Sequence, residues 1–377
     1  MALAPHGRKP TIYDIARKCG VSGATVSRAL SNSGYPVSAP VRASIEAAAK
    51  ELGYTPNAVG RMLRRRESMD IGVVLPNLSN PYFTSVLLGL ETEAHRLGYN
   101  VLLSSSFRDP DIEARALRML ATKQVAGAIV SLTRPDAALL RELQAGGVGF
   151  VTFDQKVEGL QCSRVEFDFE AAGLLAVDHL VEQGHRDLVF VSSPIDRPSR
   201  VALRAGFLEG LERHGIPDGA DRCLLGGIES EGTEGYEVEN GRLLAAGLAD
   251  SGRLPTAVFA ANDITAFGVI QGLTARGIRV PEDVSVLGFD DLPFSAWVTP
   301  ALSTIAHPAF ETGAMAMRLL AETLKDRDRI SVQKFAPRLV PRASVRRRGS
   351  DAPASGAATG TPDARTASDS KYRRIAP

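Results

Sequence analysis

Thr25, Ser27 and Arg28 fall within four residues of one another in the stretch GATVSRAL. Two hydroxyls and a guanidinium on one short segment are donors suited to phosphate oxygens and to the edges of bases. No comparable set points to catalysis. The chain has no GxSxG nucleophile elbow, no GxxxxGK phosphate cradle and no GxGxxG turn after a strand. Its six histidines are scattered, so neither an enzyme, a metal site nor a cofactor is expected.

What must position those donors is the surrounding stretch, TIYDIARKCGVSGATVSRAL, residues 11–30. Thr11 with Asp14 three residues on reads as a capping-box helix start, followed by Ile12, Ile15, Ala16 and Cys19 at helical spacing. Gly20 supplies a left-handed exit. Ser22 can then cap a second helix whose apolar face is Val21, Val26, Ala29 and Leu30. Small Ala16 lets the helices cross, and branched Val26 pins the second one. This is a helix-turn-helix, whose second helix enters the major groove of DNA. An ordinary αα-hairpin in a core is the alternative, but it gives the exposed donors no use.

The 377 residues exceed one ordinary core, so two or three domains are expected. Net charge is +1 but unevenly placed: residues 8–66 carry 11 Lys and Arg against 3 Asp and Glu, a net of +8, which leaves −7 elsewhere. A basic head on an acidic body points to a polyanionic partner for the head alone. Cys19, Cys162 and Cys223 are odd in number and lack CxxC spacing, which fits a reducing compartment. Residues 1–10 lack the apolar run of a signal peptide, and no later run approaches membrane-spanning length. A cytoplasmic protein without a membrane partner is expected.

Residues 1–9 read as a loose, disordered basic arm and 31–36 as a polar loop. A third helix should start at Ser38 or Ala39, turn Val41, Ile45, Ala48, Ala49 and Leu52 inward, and end at Gly53, closing a head over 10–54. In the linker 55–67, Thr55 and Pro56 form a good helix start, yet the segment is short and contains Gly60. Leu63 beside Arg64, Arg65 and Arg66 suggests a hinge helix that folds on DNA rather than a plain tether. From Met69 the chain alternates strands, at 71–75, 101–104, 125–130, 149–153, 188–191, 257–260 and 284–287, with helices that stop at Gly98, Gly146, Gly184, Gly215 and Gly277. Such alternation implies parallel sheets covered on both faces, here in two α/β lobes flanking a cleft. Residues 346–377 read as a disordered tail.

In this order, head, hinge and two-lobed body resemble the lactose-repressor/galactose-repressor (LacI/GalR) family of bacterial transcription factors. The resemblance covers about residues 10–345 and is carried by TIYDIARKCGVSGATVSRAL, LGYTPN, IGVVLPNLSNPYF, GHRDLVFV, ANDITAFGV, VPEDVSVLGFDD and TPALSTI. It implies a periplasmic-binding-protein-like body of doubly wound parallel sheets over 68–345. The N-lobe would take about 68–166 and 307–336, the C-lobe about 167–304 and 337–345, with three chain crossings between them. It further implies a homodimer, or a tetramer, that represses transcription from a palindromic double-stranded DNA operator. A small polar ligand such as a sugar would control it allosterically. A transport or binding protein of the same two-lobed fold is the competing class, against which the basic head and missing secretion signal argue. The implied DNA contacts fall on Thr11, Ser22, Gly23, Ala24, Thr25, Ser27 and Arg28, and in the hinge on Asn57, Arg61 and Leu63. Gly23 has no side chain to offer and Ala24 only a methyl, so Arg28 should dominate direct readout. Leu63 takes the place of the wedge that opens the minor groove, and Gly60, where alanine is common, makes the hinge helix harder to form.

The effector contacts implied by the resemblance fall on Tyr82, Phe83, Asp154, Asn262 and Asp290. Each follows a predicted strand, where ligands bind in such sheets. Asn262 and Asp263 could instead cap a helix, the role expected for Asp263, whereas one cap does not need both Asp290 and Asp291. Leu203 stands where the family usually has an arginine. With a helix beginning near Ser199, Arg200 shares the face of Leu203 and Arg204 does not. Arg200 is therefore expected to supply the cation, facing Asp154 and Asp290 across the cleft. The segment after Leu224 offers Glu229 and Glu231 in place of a sugar-stacking aromatic. Trp297 is expected to pack at the hinge, and His185 to satisfy a turn before its strand.

Overall fold

A computed structural model of the protein describes residues 10–30, 37–54, 68–194, 197–227 and 235–348. The arm, the loop 31–36, the hinge with Asn57, Arg61 and Leu63, Glu229, Glu231, and the tail from 349 lie outside the described residues. The chain forms two compact units, Met1–Glu67 and Ser68–Pro377.

In the first unit, α1 (Ile12–Cys19), α2 (Gly23–Leu30) and α3 (Ala39–Glu51) close over Ile15, Val26 and Ile45. Ala16, Ala29, Ala48 and Ala49 fill the same core with little bulk, which lets three short helices approach closely. α1 starts where the Asp14 carboxylate accepts the Thr11 backbone N–H at 2.8 Å and its hydroxyl at 2.7 Å. It ends at Gly20, φ +67°, and the Val21 N–H returns to the Ala16 carbonyl at 3.1 Å. The Ser22 hydroxyl then accepts the Thr25 N–H at 3.1 Å and caps α2.

The second unit holds two six-stranded sheets. β1 (Asp70–Leu75), β2 (Asn100–Ser105), β3 (Gly127–Val130), β4 (Gly149–Phe153), β5 (Ser163–Phe167) and β11 (Val332–Phe335) build the first, in the order β11-β5-β4-β3-β1-β2, all neighbours parallel. β6 (Leu188–Ser192), β7 (Cys223–Leu225), β8 (Ala257–Ala260), β9 (Ser285–Asp290), β10 (Ser303–Ala306) and β12 (Arg338–Val340) build the second, in the order β12-β10-β9-β8-β6-β7. Only β12 runs antiparallel to its neighbour there. The chain passes between sheets three times, after β5, β10 and β11.

Helices cover both faces of each sheet, which is why the central strands are apolar throughout. α4 (Pro81–Leu97) and α11 (Ala309–Lys325) share one core of the first lobe, α5 (Pro110–Thr122) and α6 (Ala137–Ala145) the other. In the second lobe α7 (Phe169–Glu182) and α8 (Pro198–Arg213) lie opposite α9 (Tyr236–Asp250) and α10 (Asp263–Thr274). Gly313 sets the α4–α11 contact: a Cβ there would stand 1.8 Å from the Val86 carbonyl oxygen.

Strand order reverses between β1 and β3 in one sheet and between β6 and β8 in the other. In such sheets the carboxyl ends beside the reversal leave a crevice, and the cleft is built from those ends. Two expectations change. α6 does stop at Gly146, but Gly146 keeps a right-handed φ of −72° and the left-handed turn falls to Gly147 at +97°. Trp297 is 74% exposed, edge-on to Phe294 at 5.7 Å, and does not pack at a hinge.

Candidate functional site

The cleft encloses a cavity of about 50 Å³, walled by segments that follow β1, β3, β4, β6, β8, β9 and β10. The Tyr82 hydroxyl donates to Asp154 Oδ2 at 2.5 Å and lies 3.0 Å from His307 Nε2. The same ring nitrogen is 3.1 Å from Asp154 Oδ1, while Nδ1 faces Asp290 Oδ1 at 3.7 Å. Tyr82 also stacks on the imidazole, centroids 4.3 Å apart. Burial alone would push His307 down, but Asp154 and then Asp290 outweigh it and hold the imidazole up at about 9. The ring is therefore a cation at neutral pH, lying between two acids. Burial pushes Asp290 up, with His307 partly offsetting it. Burial, then the charge of Asp154, pushes the Tyr82 hydroxyl well above its ordinary value. Asp154 and Asp290 have φ of +57° and +119°, so the turns after β4 and β9 hold both acids in backbone that side chains seldom adopt.

A second cluster surrounds Glu237, at the start of α9. Its carboxylate accepts from Asn80 Nδ2 at 2.9 Å, Arg200 Nη2 at 2.8 Å and Asn262 Nδ2 at 2.7 Å. Both amides cap a helix with their oxygens, Asn80 through the Tyr82 N–H and Asn262 through the Thr265 N–H. Their nitrogens thus present to Glu237 in fixed orientation. Asn80 belongs to the first lobe and Glu237 to the second, so this bond crosses the cleft. Two cation–π contacts cross it as well: Arg197 lies over the Phe83 ring at 5.9 Å, and Arg108 over the Tyr236 ring at 5.2 Å.

All six effector positions expected from the sequence line the cavity: Tyr82, Phe83, Asp154, Arg200, Asn262 and Asp290. Leu203 lines it too, while Arg204 approaches Cys223. Arg200 does not stand alone opposite the two aspartates, because Glu237 is its ion-pair partner. Asp263 is not the cap of α10. Its buried carboxylate accepts from the Leu292 N–H at 2.8 Å and from the Ser295 and Thr304 hydroxyls at 2.6 Å, fixing the loop that follows Asp290. Burial first, and then Asp290, raise Asp263 to about 7. Asp291 pairs with Arg342 at 2.6 Å, which leaves Asp290 as the acid of that pair facing the cavity. The His185 N–H returns to the Leu180 carbonyl at 3.0 Å and closes the turn before β6, while its ring lies 3.1 Å from the Arg346 carbonyl and ties down the chain after β12.

Sequence reasoning passed over His307, Glu237, Asn80 and Arg197. Asn80 carried a signal, since Asn before Pro81 is a good helix start. His307 carried a weaker one, directly after the apolar end of β10.

On the head, Ala24 and Arg28 are exposed one turn apart on α2, with Thr25 and Ser27 half-buried beside them. The Ser22 and Thr25 hydroxyls lie 2.9 Å apart, and that of Thr11 binds Asp14, so these three also serve the helix starts. Gly23 rests against Tyr13, whose ring a Cβ would meet at 3.3 Å. Tyr13 is 67% exposed and adds an aromatic hydroxyl to this face, which the sequence reading had not included. Among the described residues no group of three or more His, Cys, Asp or Glu is placed to hold a metal ion, and no helix is long and apolar enough to cross a membrane.

Comparison with known proteins fits this geometry. Residues 11–57 match the family described as bacterial regulatory proteins, lacI family, and residues 177–345 match the periplasmic binding protein-like domain. Catabolite control protein A of Priestia megaterium is 33% identical over 313 residues, covering 83% of this chain and 92% of the relative. The HTH-type transcriptional repressor CytR of Escherichia coli (strain K12) is 32% identical over 315 residues, covering 84% and 90%. The crystal structure of the lac repressor dimer bound to operator and the anti-inducer ONPF matches with a TM-score of 0.78 at 27% identity, over 90% of this chain and 100% of that one. The chain belongs to the LacI family and is a DNA-binding transcriptional regulator, not an enzyme.

Proposed function

We propose that the protein is a cytoplasmic repressor that binds an inverted-repeat operator as a homodimer and is switched by a small polar ligand in the cleft. One observation carries this reading. A single chain joins a basic helix-turn-helix head, with Ala24 and Arg28 exposed on its second helix, to a buried polar cleft whose walls belong to two lobes.

In this reading the head, 10–54, contacts DNA through Thr11, Ser22, Gly23, Ala24, Thr25, Ser27 and Arg28, joined by Tyr13. The hinge, 55–67, folds on DNA, where Asn57 and Arg61 contact it and Leu63 wedges the minor groove. The body, 68–345, takes the ligand against Tyr82, Phe83, Asp154, Arg200, Asn262 and Asp290, with His307 and Glu237 added. The second protomer covers the exposed Phe294 and Trp297 and the apolar groove of Phe267, Ile270 and Val298 beside them. A two-fold partner would withdraw those rings from water and pair the two heads for a symmetric site. The operator-bound lac repressor dimer supports this assembly by likeness.

The test is to incubate the purified protein with fragments of its own genome and footprint the retained DNA. A short inverted repeat shared by the retained fragments is expected. Retention without a common sequence contradicts the proposal.

A further inference from the structure

The distribution of charge along the cleft defines a class of ligand, on the reading that the cleft is the effector site. At one end the His307 cation and the Tyr82 hydroxyl already meet Asp154 and Asp290. In the same wall, Glu237 neutralises Arg200 through Nη2. The other terminal nitrogen of Arg200, Nη1, is buried and has no hydrogen-bond partner among the described residues, on a residue only 8% exposed in the cavity wall. Arg197 lines the same cavity three residues earlier and makes no ion pair among the described residues. Its contact with the Phe83 ring holds it at the cavity without neutralising it. Both arginines stand at the start of α8, which has no side-chain cap, so the positive end of that helix adds to theirs.

We propose that the effector is a small hydroxylated carboxylate, its carboxylate held by Arg197 and Nη1 of Arg200 and its hydroxyls by Asp154 and Asp290. Among the described charges of the cavity wall, Glu237 pairs with Arg200, and His307 and Arg197 balance Asp154 and Asp290. A ligand with a single carboxylate therefore meets less repulsion from those acids than a phosphate monoester, which carries nearly two negative charges. A neutral sugar would meet these guanidinium donors only with uncharged hydroxyl oxygens, without the ionised bidentate fork that a carboxylate offers. An amine would bring a second cation to acids that already share one in His307. The cavity of about 50 Å³ favours a compact molecule.

Calorimetric titration of the full-length protein, with thermal melts to verify folding, tests this. The probes are D-gluconate and D-glycerate, their neutral counterparts D-glucose and glycerol, and glucose 6-phosphate and L-serine for the other classes. At least one acid should bind about tenfold or more tighter than its neutral counterpart. Arg197→Gln should lose about tenfold or more of that affinity, Arg197→Lys less, and Arg204→Gln little. Acids no tighter than their neutral counterparts, binding by the phosphate ester or serine alone, or unchanged acid affinity in Arg197→Gln overturns the proposal. Binding of another class that disappears in Asp154→Ala overturns the carboxylate but leaves the cleft as the ligand site. Binding by none of the probes overturns both.

Discussion

His307, set where the chain passes from the second sheet back to the first, lies 3.1 Å from Asp154 at the end of β4. With Asp290 on its other nitrogen, one imidazolium ties together acids from both lobes. The folded protein holds this ring at about 9 against an ordinary value of 6.5. The stability it contributes is therefore full below 6.5 and is lost as pH rises through about 9. Thermal melts should fall across that window in the wild type and less so in His307→Gln. Parallel pH profiles for the two proteins would contradict the assignment.

Glu237→Ala removes the common acceptor of Asn80, Arg200 and Asn262. Breaking a buried ion pair from one side costs about 3–5 kcal/mol. Urea unfolding should report a loss in that range, and the Asn80 link across the cleft goes with it. A loss under about 1 kcal/mol would place the pair among weak surface bridges.

Asp263→Ala strips the acceptor from Leu292, Ser295 and Thr304 at once. Orphaned buried donors cost about 1–3 kcal/mol each, and hydroxyls that can turn elsewhere recover part, so about 3 kcal/mol is expected. Ligand affinity should fall with it, because the freed loop follows Asp290. Unchanged ligand affinity in a destabilised variant would separate the loop from the site.

Arg28→Ala should weaken specific operator binding by about 1–3 kcal/mol and leave nonspecific affinity nearly intact. Tyr13→Ala should also weaken the operator complex without unfolding the head, since its ring is mostly outside the core. Competition binding against nonspecific duplex measures both. Equal loss of specific and nonspecific affinity in Arg28→Ala would make that residue a phosphate contact.

The head was legible because its signals are local: the Thr11–Asp14 box, Gly20 and Ser22 all act within a few residues. The central strands were legible as apolar runs. β5, β7, β10, β11 and β12 were not, being short or partly polar, and made strands by their neighbours in the sheet. In the cleft, Arg200 followed from helical register, because α8 does begin just before it. Its partner Glu237, 37 residues on, did not, nor did the links between lobes, Asn80 with Glu237 157 residues apart and His307 with Asp154 153 apart. Such contacts exist only once two sheets face each other. Asp263 was misread because Asn262, one residue earlier, takes the cap and frees the acid for a distant loop.

The central claim, a symmetric DNA-binding regulator, is tested most directly by titrating the full inverted repeat and its isolated half-site over a series of salt concentrations. Affinity for the full site should fall steeply with salt, a log–log slope that counts the phosphates neutralised, and should greatly exceed affinity for the half-site. A flat slope, or equal affinity for half and full sites, would contradict the account.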